Sequence, residues 1–166
     1  MKQAEINRAL RLAKKTDFGY RRGPSGCYGT YFKLTKSIGI KIYQRDSAWS
    51  NRRARALKTS RGWKLASNAF KMMRKVAKHG IAPEGYALIQ VTYKDEIRPG
   101  LVMQHIEGRH KQPHPDVYEA LEKRMKKLRV THNDMGDCNW KVMKDGKIVL
   151  IDWDFGRVQK RKRRKR

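Results

Sequence analysis

The residues best suited to chemistry in this chain are acidic, although the chain as a whole is strongly cationic. Five of its fifteen Asp and Glu residues, Asp134, Asp137, Asp145, Asp152 and Asp154, fall within residues 134–154. There, residues 140–143 and 147–151 read as strands flanking Asp145-Gly146. That dipeptide favours a two-residue type I′ hairpin turn, whose central positions both need positive φ. Such a turn sets Asn139 directly opposite Asp152, with Cβ atoms about 4.5–5.5 Å apart. A carboxylate and a carboxamide oxygen at that separation suit Mg²⁺, which takes one or two protein oxygens and completes its shell with phosphate and water. Asp134 stands five residues before Asn139, in the string His132-Asn133-Asp134-Met135-Gly136-Asp137-Cys138-Asn139.

That string, followed by a hairpin and then Ile151-Asp152-Trp153, resembles the catalytic loop and metal-binding hairpin of the protein kinase-like superfamily. Its wording is closer to aminoglycoside phosphotransferases, choline kinases and other atypical kinases than to ordinary eukaryotic protein kinases. The resemblance implies that Asp134 is a catalytic base for a hydroxyl, that Asn139 and Asp152 hold Mg²⁺ on ATP, and that His132 is a structural support. Asp154-Phe155-Gly156 matches the familiar kinase tripeptide, so two registers compete for the metal. The hairpin spacing favours Asp152, and Asp154 stands as a second candidate ligand.

The resemblance extends upstream. Gly26-Cys27-Tyr28-Gly29-Thr30-Tyr31 is similar to the tail of a kinase glycine loop, with Pro24 where the first glycine usually stands. Gly26 and Gly29 would then let backbone N–H groups approach phosphates. Ile40-Lys41-Ile42 resembles the strand that presents a phosphate-binding lysine, which makes Lys41 both a catalytic and a nucleotide-binding candidate. Residues 101–108 resemble the strand and hinge beside the adenine, with backbone groups of Gln104 and Ile106 as partners for the purine edge. Residues 23–156 are covered in this way. Two departures stand out. Residues 47–83 hold ten Lys or Arg and no acid, so Lys41 lacks the helix glutamate that kinases pair with it, leaving Asn68, Asp152 or nothing in that role. Only ten residues follow Gly156, eight of them Lys or Arg, which is too few for a lower helical subdomain.

The elements that must position these residues follow from periodicity. Ile6, Ala9, Leu10 and Ala13 predict an amphipathic helix over residues 3–15. Residues 30–34 and 39–43 read as paired strands. Ala66, Ala69, Phe70, Met73, Val76 and Ala77 mark a long helix within residues 47–79, stopped at His79-Gly80. Strands are expected at 86–93 and 101–106 around a turn at 94–100, and Asp116 is the expected cap of a helix over 117–128. The fold class is α+β: a protein kinase-like bilobal fold, with an antiparallel N-lobe sheet plus helix and a strongly truncated C-lobe. The expected divisions are a basic N-terminal extension over 1–22, an N-lobe and hinge over 23–108, a minimal C-lobe over 109–156 and a disordered basic tail over 157–166.

Charge and composition narrow the partners. The 166 residues carry 41 Lys and Arg and a formal charge of +26, and 34% of residues are charged, against roughly 25% in an average domain. The cations of residues 47–83, with Trp49 and Trp63 among them, and of the tail 157–166 suit an anionic partner: RNA, DNA or a nucleoprotein. The longest apolar runs are four residues, which predicts no membrane span and no signal peptide. Two cysteines 111 residues apart argue against zinc or a disulfide framework and for a reducing cytoplasm. The expected function is an ATP- and Mg²⁺-dependent phosphotransferase, a minimal serine/threonine protein kinase acting near nucleic acid. The alternative is a kinase-fold pseudoenzyme that binds nucleic acid or host machinery. A metal-dependent nuclease would fit the charge but leaves the glycine loop and hinge unexplained.

Overall fold

The computed structural model describes residues 3–19, 23–26, 28–44 and 61–159. A five-stranded antiparallel sheet is its main layer, in the order β1-β2-β3-β5-β4. Its strands are β1 (Ser25–Gly26), β2 (Gly29–Lys33), β3 (Ile38–Tyr43), β4 (Gly85–Tyr93) and β5 (Glu96–Gln104). Period-two alternation along β3 divides the core in two. Ile38, Ile40 and Ile42 face Ala9, Ala13 and Phe18 at one side, with Val91, Tyr93 and Val102. The helix α1 (Gln3–Lys15) is thus part of the core through its alanine stripe.

On the other side, Tyr43 and Leu101 join the apolar stripe Ala66, Ala69, Met72, Met73 and Val76 of helix α2 (Arg61–Val76). A 3₁₀ turn, Ala77–His79, extends α2 to Gly80, whose left-handed φ of 67° closes the helix. The same core continues into Leu121 and Met125 of α3 (Pro115–Lys127), and into Trp140, Leu150 and Trp153. A three-stranded sheet orders β6 (Gly108–His110), β8 (Trp140–Met143) and β9 (Ile148–Leu150) as β6-β8-β9. A short ladder pairs β7 (Val130–Thr131) with β10 (Arg157–Val158).

Several expectations move. The turn expected over 94–100 is only Lys94 and Asp95, with φ of 52° and 59°. Residues 96–100 continue β5, because Pro99 lies where β5 pairs with β4 alone; β3 reaches only as far as Gly100, so proline's missing N–H costs no bond. Helix α3 starts at Pro115 with His114 as its cap. Asp116 sits in the first turn, where its charge meets the helix dipole and the His114 imidazole at 3.2 Å, and caps nothing. The hairpin near the acids has a three-residue loop, Lys144 to Gly146, with only Gly146 left-handed at φ 78°. Met143 N donates to Lys147 O at 2.8 Å and Gly146 N to Met143 O at 3.0 Å, a type I turn closed by a glycine bulge. Register therefore shifts by one residue, and Ile151, whose N–H donates to the Asn139 carbonyl at 2.8 Å, faces Asn139 in place of Asp152.

The boundary expected after Gly108 falls inside β6. The tail expected from residue 157 begins as β10, and Gln159 N donates to Arg129 O at 2.8 Å, so these residues are ordered by pairing. The glycine-loop residue Cys27, residues 47–60 with Trp49, and residues 160–166 lie outside the described residues.

Candidate functional site

Alternation also sets the cleft. Tyr31 and Lys33 of β2, Lys41 and Tyr43 of β3, and Leu101 and Met103 of β5 share the sheet face opposite α1. Between this face and residues 151–154 lies a cleft of about 400 Å³. Gly29, Lys41, Gln104, Ile106 and Asp152 all line it, so one cavity gathers residues more than a hundred positions apart in sequence. Gly26 contributes by backbone, paired with Gly29 across the β1–β2 turn. A Cβ at Gly29 would stand 2.6 Å from the Ile42 carbonyl, so glycine is required there for the strands to meet.

Lys41 is the centre of the polar wall. Its ammonium donates to Asp152 Oδ1 and, at 2.7 Å, to Asp154 Oδ2. Tyr43 Oη donates to the other Asp154 oxygen at 2.6 Å. Burial pulls the lysine's pKa down, but the Asp154 and Asp152 charges outweigh it and hold the ammonium above the ordinary lysine range. Asp154, whose side chain is 2% exposed, is pushed up to about 6 by burial, with the neighbouring Asp152 charge adding and Lys41 opposing. Two carboxylates on one ammonium leave negative charge in excess, which favours a further cation at Asp152, the more open acid at 35% exposure.

Asp152 reaches this position by a backbone turn: its φ of 64° is left-handed and swings its side chain out of the β9 register toward Lys41. Asn68 on α2 then holds the following turn, with its amide donating to the Asp154 and Gly156 carbonyls.

The loop before the hairpin is built from hydrogen bonds. His132 is buried, shares a hydrogen bond through Nε2 with the Ile151 carbonyl at 2.8 Å, and meets the Trp153 ring edge-on at 4.6 Å. Burial lowers its pKa more than that bond raises it, which keeps the ring neutral. Asn133, at φ 64°, donates to Phe155 O at 2.8 Å, and Asn139 Nδ2 donates to Asp134 O at 3.0 Å. The His132 and Asn133 bonds tie the loop to the segment that carries Asp152, and the Asn139 bond closes the loop on itself. Asp134 itself is exposed on the rim of a second cavity of about 500 Å³, beside Tyr118, Met125 and His132. Neither Asp134 nor Asn139 lines the Lys41 cleft.

Among the described residues, no three His, Cys, Asp or Glu side chains converge into a ready cation site. Asp152 is the open oxygen donor of the cleft, while Asn139 is buried, faces Ile151 and lies outside the cleft lining, so a cation at Asp152 would keep most of its shell for water and phosphate. At the hinge, the Gln104 N–H is already committed to the Glu84 carbonyl and the His105 N–H to Ser37, both at 2.8 Å. The Gln104 donor expected for a purine edge is therefore spent, and Ile106 is the hinge position left to that role. Tyr43 carried no sequence signal beyond its place two positions from Lys41, and Tyr31 and His105 carried only their places in the glycine-loop string and the hinge segment.

No protein-family model matches the chain, and no curated protein is similar to it at a significant level. Solved structures do match. WbdD in complex with the kinase inhibitor LY294002 superposes with a TM-score of 0.55 at 18% identity, over 81% of this chain and 32% of that one. The CAK complex from Chaetomium thermophilum bound to ATP-gamma-S gives 0.56 at 15% identity, over 93% of this chain and 50% of that one. The chain has a protein kinase-like fold. A further structure of WbdD, described as a bifunctional kinase-methyltransferase, agrees at 0.52 and 18% over 75% of this chain. In this kinase-like fold the five-stranded sheet with α2 is the N-lobe, and α3 with the β6-β8-β9 sheet lies on the C-lobe side. The chain spans half or less of each of these structures. Among the described residues, no helix is long and apolar enough to cross a membrane.

Proposed function

We propose that the chain is a minimal ATP- and Mg²⁺-dependent phosphotransferase to a hydroxyl group, with serine or threonine side chains as acceptors. The observation that carries this reading is the meeting of Lys41 with Asp152 inside a cleft of a kinase-like fold. Lys41 binds the α and β phosphates as a point charge. Asp152 would hold Mg²⁺, with Asn139 as the second expected ligand, and the ion would supply neutralisation of phosphate charge. Asp134 accepts the acceptor's proton as the hydroxyl oxygen bonds to the γ-phosphorus and the β–γ bridging bond breaks, releasing ADP. The glycine pair Gly26 and Gly29 and the hinge residue Ile106 frame the nucleotide, with Gln104 beside them in the cleft wall.

A second reading rests on a separate observation. Lys64, Lys71, Arg74 and Lys78 are exposed along α2 and its 3₁₀ extension, in a stretch without a single acid. At 1.5 Å per residue this stripe runs about 21 Å, a length that meets several phosphates of a nucleic acid. With Asn68 in place of the expected glutamate and Lys41 held by two acids, a kinase-like module whose main work is binding RNA or DNA is the alternative. In both readings the protein works in the cytoplasm beside an anionic partner.

Calorimetric titration of Mg-ATP into the wild type and Asp152→Asn tests the first reading. Saturable binding lost in the variant supports it, as does labelled phosphate transfer lost in Asp134→Ala with nucleic-acid binding intact. Absence of binding at millimolar Mg-ATP sinks it and leaves the second.

A further inference from the structure

Tyr31 lies across the cleft face between Lys41 and the β5–β6 connection. It faces Lys41 in the β2–β3 register, yet its hydroxyl ends on His105, 2.8 Å from Nδ1. The two rings stack with centroids 5.9 Å apart and planes 21° from parallel. Because β3 separates β2 from β5 in the sheet, the tyrosine bridges two strand spacings, about 9.5 Å. It passes over Gly39. A Cβ at that position would stand 1.8 Å from Tyr31 Oη and 2.3 Å from Cζ, so the crossing exists only because residue 39 has no side chain. Two residues along, Lys33 makes a parallel strap to Glu107 at 3.0 Å. Both straps run from β2 over β3 to the segment after β5, and both belong to the cleft side of the sheet.

The consequence depends on reading the cleft as a nucleotide site, as proposed above. A planar base must lie on the face between Lys41 and Ile106, and the Tyr31 phenol, one wall of the cleft, lies over Gly39 on that face. We infer that Tyr31 is the specificity-determining residue of the cleft: its ring occupies the base end, so the folded chain receives a polyphosphate directly and admits a base only when the Tyr31–His105 pair opens. Affinity then comes from the phosphates, and the base adds little, because whatever it gains on stacking is offset by breaking a ring stack and a hydrogen bond. One such hydrogen bond is worth about two- to tenfold in an equilibrium constant.

Calorimetric titration of Mg-ATP and Mg-tripolyphosphate into the wild type, Tyr31→Ala and Tyr31→Phe tests this. In the wild type the two ligands bind within about threefold of each other. Tyr31→Ala tightens Mg-ATP by about tenfold and leaves Mg-tripolyphosphate unchanged. Tyr31→Phe keeps the ring, loses only the hydroxyl, and tightens Mg-ATP by about two- to fivefold; it decides the matter where the alanine variant does not fold. If the wild type binds both ligands and neither variant tightens Mg-ATP, or Mg-ATP weakens, Tyr31 is a stacking platform and the inference is overturned. If the wild type binds neither ligand, the nucleotide reading itself fails and the inference falls with it.

Discussion

Asn68 donates from one amide nitrogen to the carbonyls of both Asp154 and Gly156, at 2.8 Å each. This helix side chain therefore grips the backbone of the turn that carries Asp154, while Lys41 finds its acids at the same turn. Lys41, Asp152, Asp154 and Asn68 form one closed unit between α2, β3 and the turn after β9. Replacing Asn68 with Ala strips two carbonyls of their donor. The expected loss is about 1–3 kcal/mol of stability, read as a lower midpoint in urea with an unchanged slope.

Lys41→Met leaves Asp152 and the buried Asp154 facing each other without a cation. Removing one partner of a buried pair costs about 3–5 kcal/mol. The double variant Lys41→Met/Asp154→Asn removes the stranded charge and recovers much of that loss. Equal stability of the single and double variants in thermal melts at pH 7 would show that the pair is not coupled.

His132 gives the fold a dependence on acid. Its folded pKa lies below the ordinary 6.5 because burial disfavours the charged ring. The unfolded chain therefore binds a proton at pH values where the folded chain does not, so stability falls as pH drops below about 6.5 and levels off below the folded pKa. His132→Phe keeps a ring against Trp153 and cannot titrate. It is less stable at pH 7 through the lost bond to Ile151, yet its melting temperature changes less between pH 6.5 and 5 than that of the wild type.

Gly39→Ala places a methyl group where the Tyr31 hydroxyl lies. Overpacking of this kind costs about 1–3 kcal/mol. In a Tyr31→Ala background the same change no longer meets the phenol atoms and alanine is the better strand residue, so the penalty shrinks. A double-mutant cycle by chemical denaturation measures the coupling; additive effects would place the phenol elsewhere.

The α2 stripe predicts salt-sensitive binding of nucleic acid. Changing Lys71, Arg74 and Lys78 together to Ser should weaken single-stranded RNA binding and lower the slope of log K against log salt by about two. Fluorescence anisotropy across a salt series reads both. An unchanged slope would mean that these cations do not meet phosphate.

Much of the site was legible where residue type and spacing act locally. His132, Asp134, Asn139 and Asp152 lie within 21 positions of one another, and the loop and hairpin that carry them are stretches of chain that short-range rules describe. The β2–β3 hairpin with Lys41, the stripe of α2 and the stop at Gly80 were legible for the same reason. Register was not. Asp145-Gly146 is compatible with a two-residue turn and with a three-residue turn closed by a glycine bulge, and the choice between them moved Asp152 away from Asn139. Pro99 and Gly100 signal a turn in isolation but lie in β5, because only the neighbouring strand's length reveals that proline sits beyond β3.

By itself, then, the sequence determined the main helices and strands, the α+β class, the basic character and the candidate residues for phosphate and metal, since propensity, periodicity and charge are properties of neighbours in the chain. Tertiary structure alone decided that Asp154 joins Asp152 on Lys41, that Asn68 grips the following turn, and that Tyr31 crosses Gly39 to His105. Each of those contacts joins residues 74 or more positions apart across different elements. Their partners are selected by which faces pack together, and no local rule carries that information.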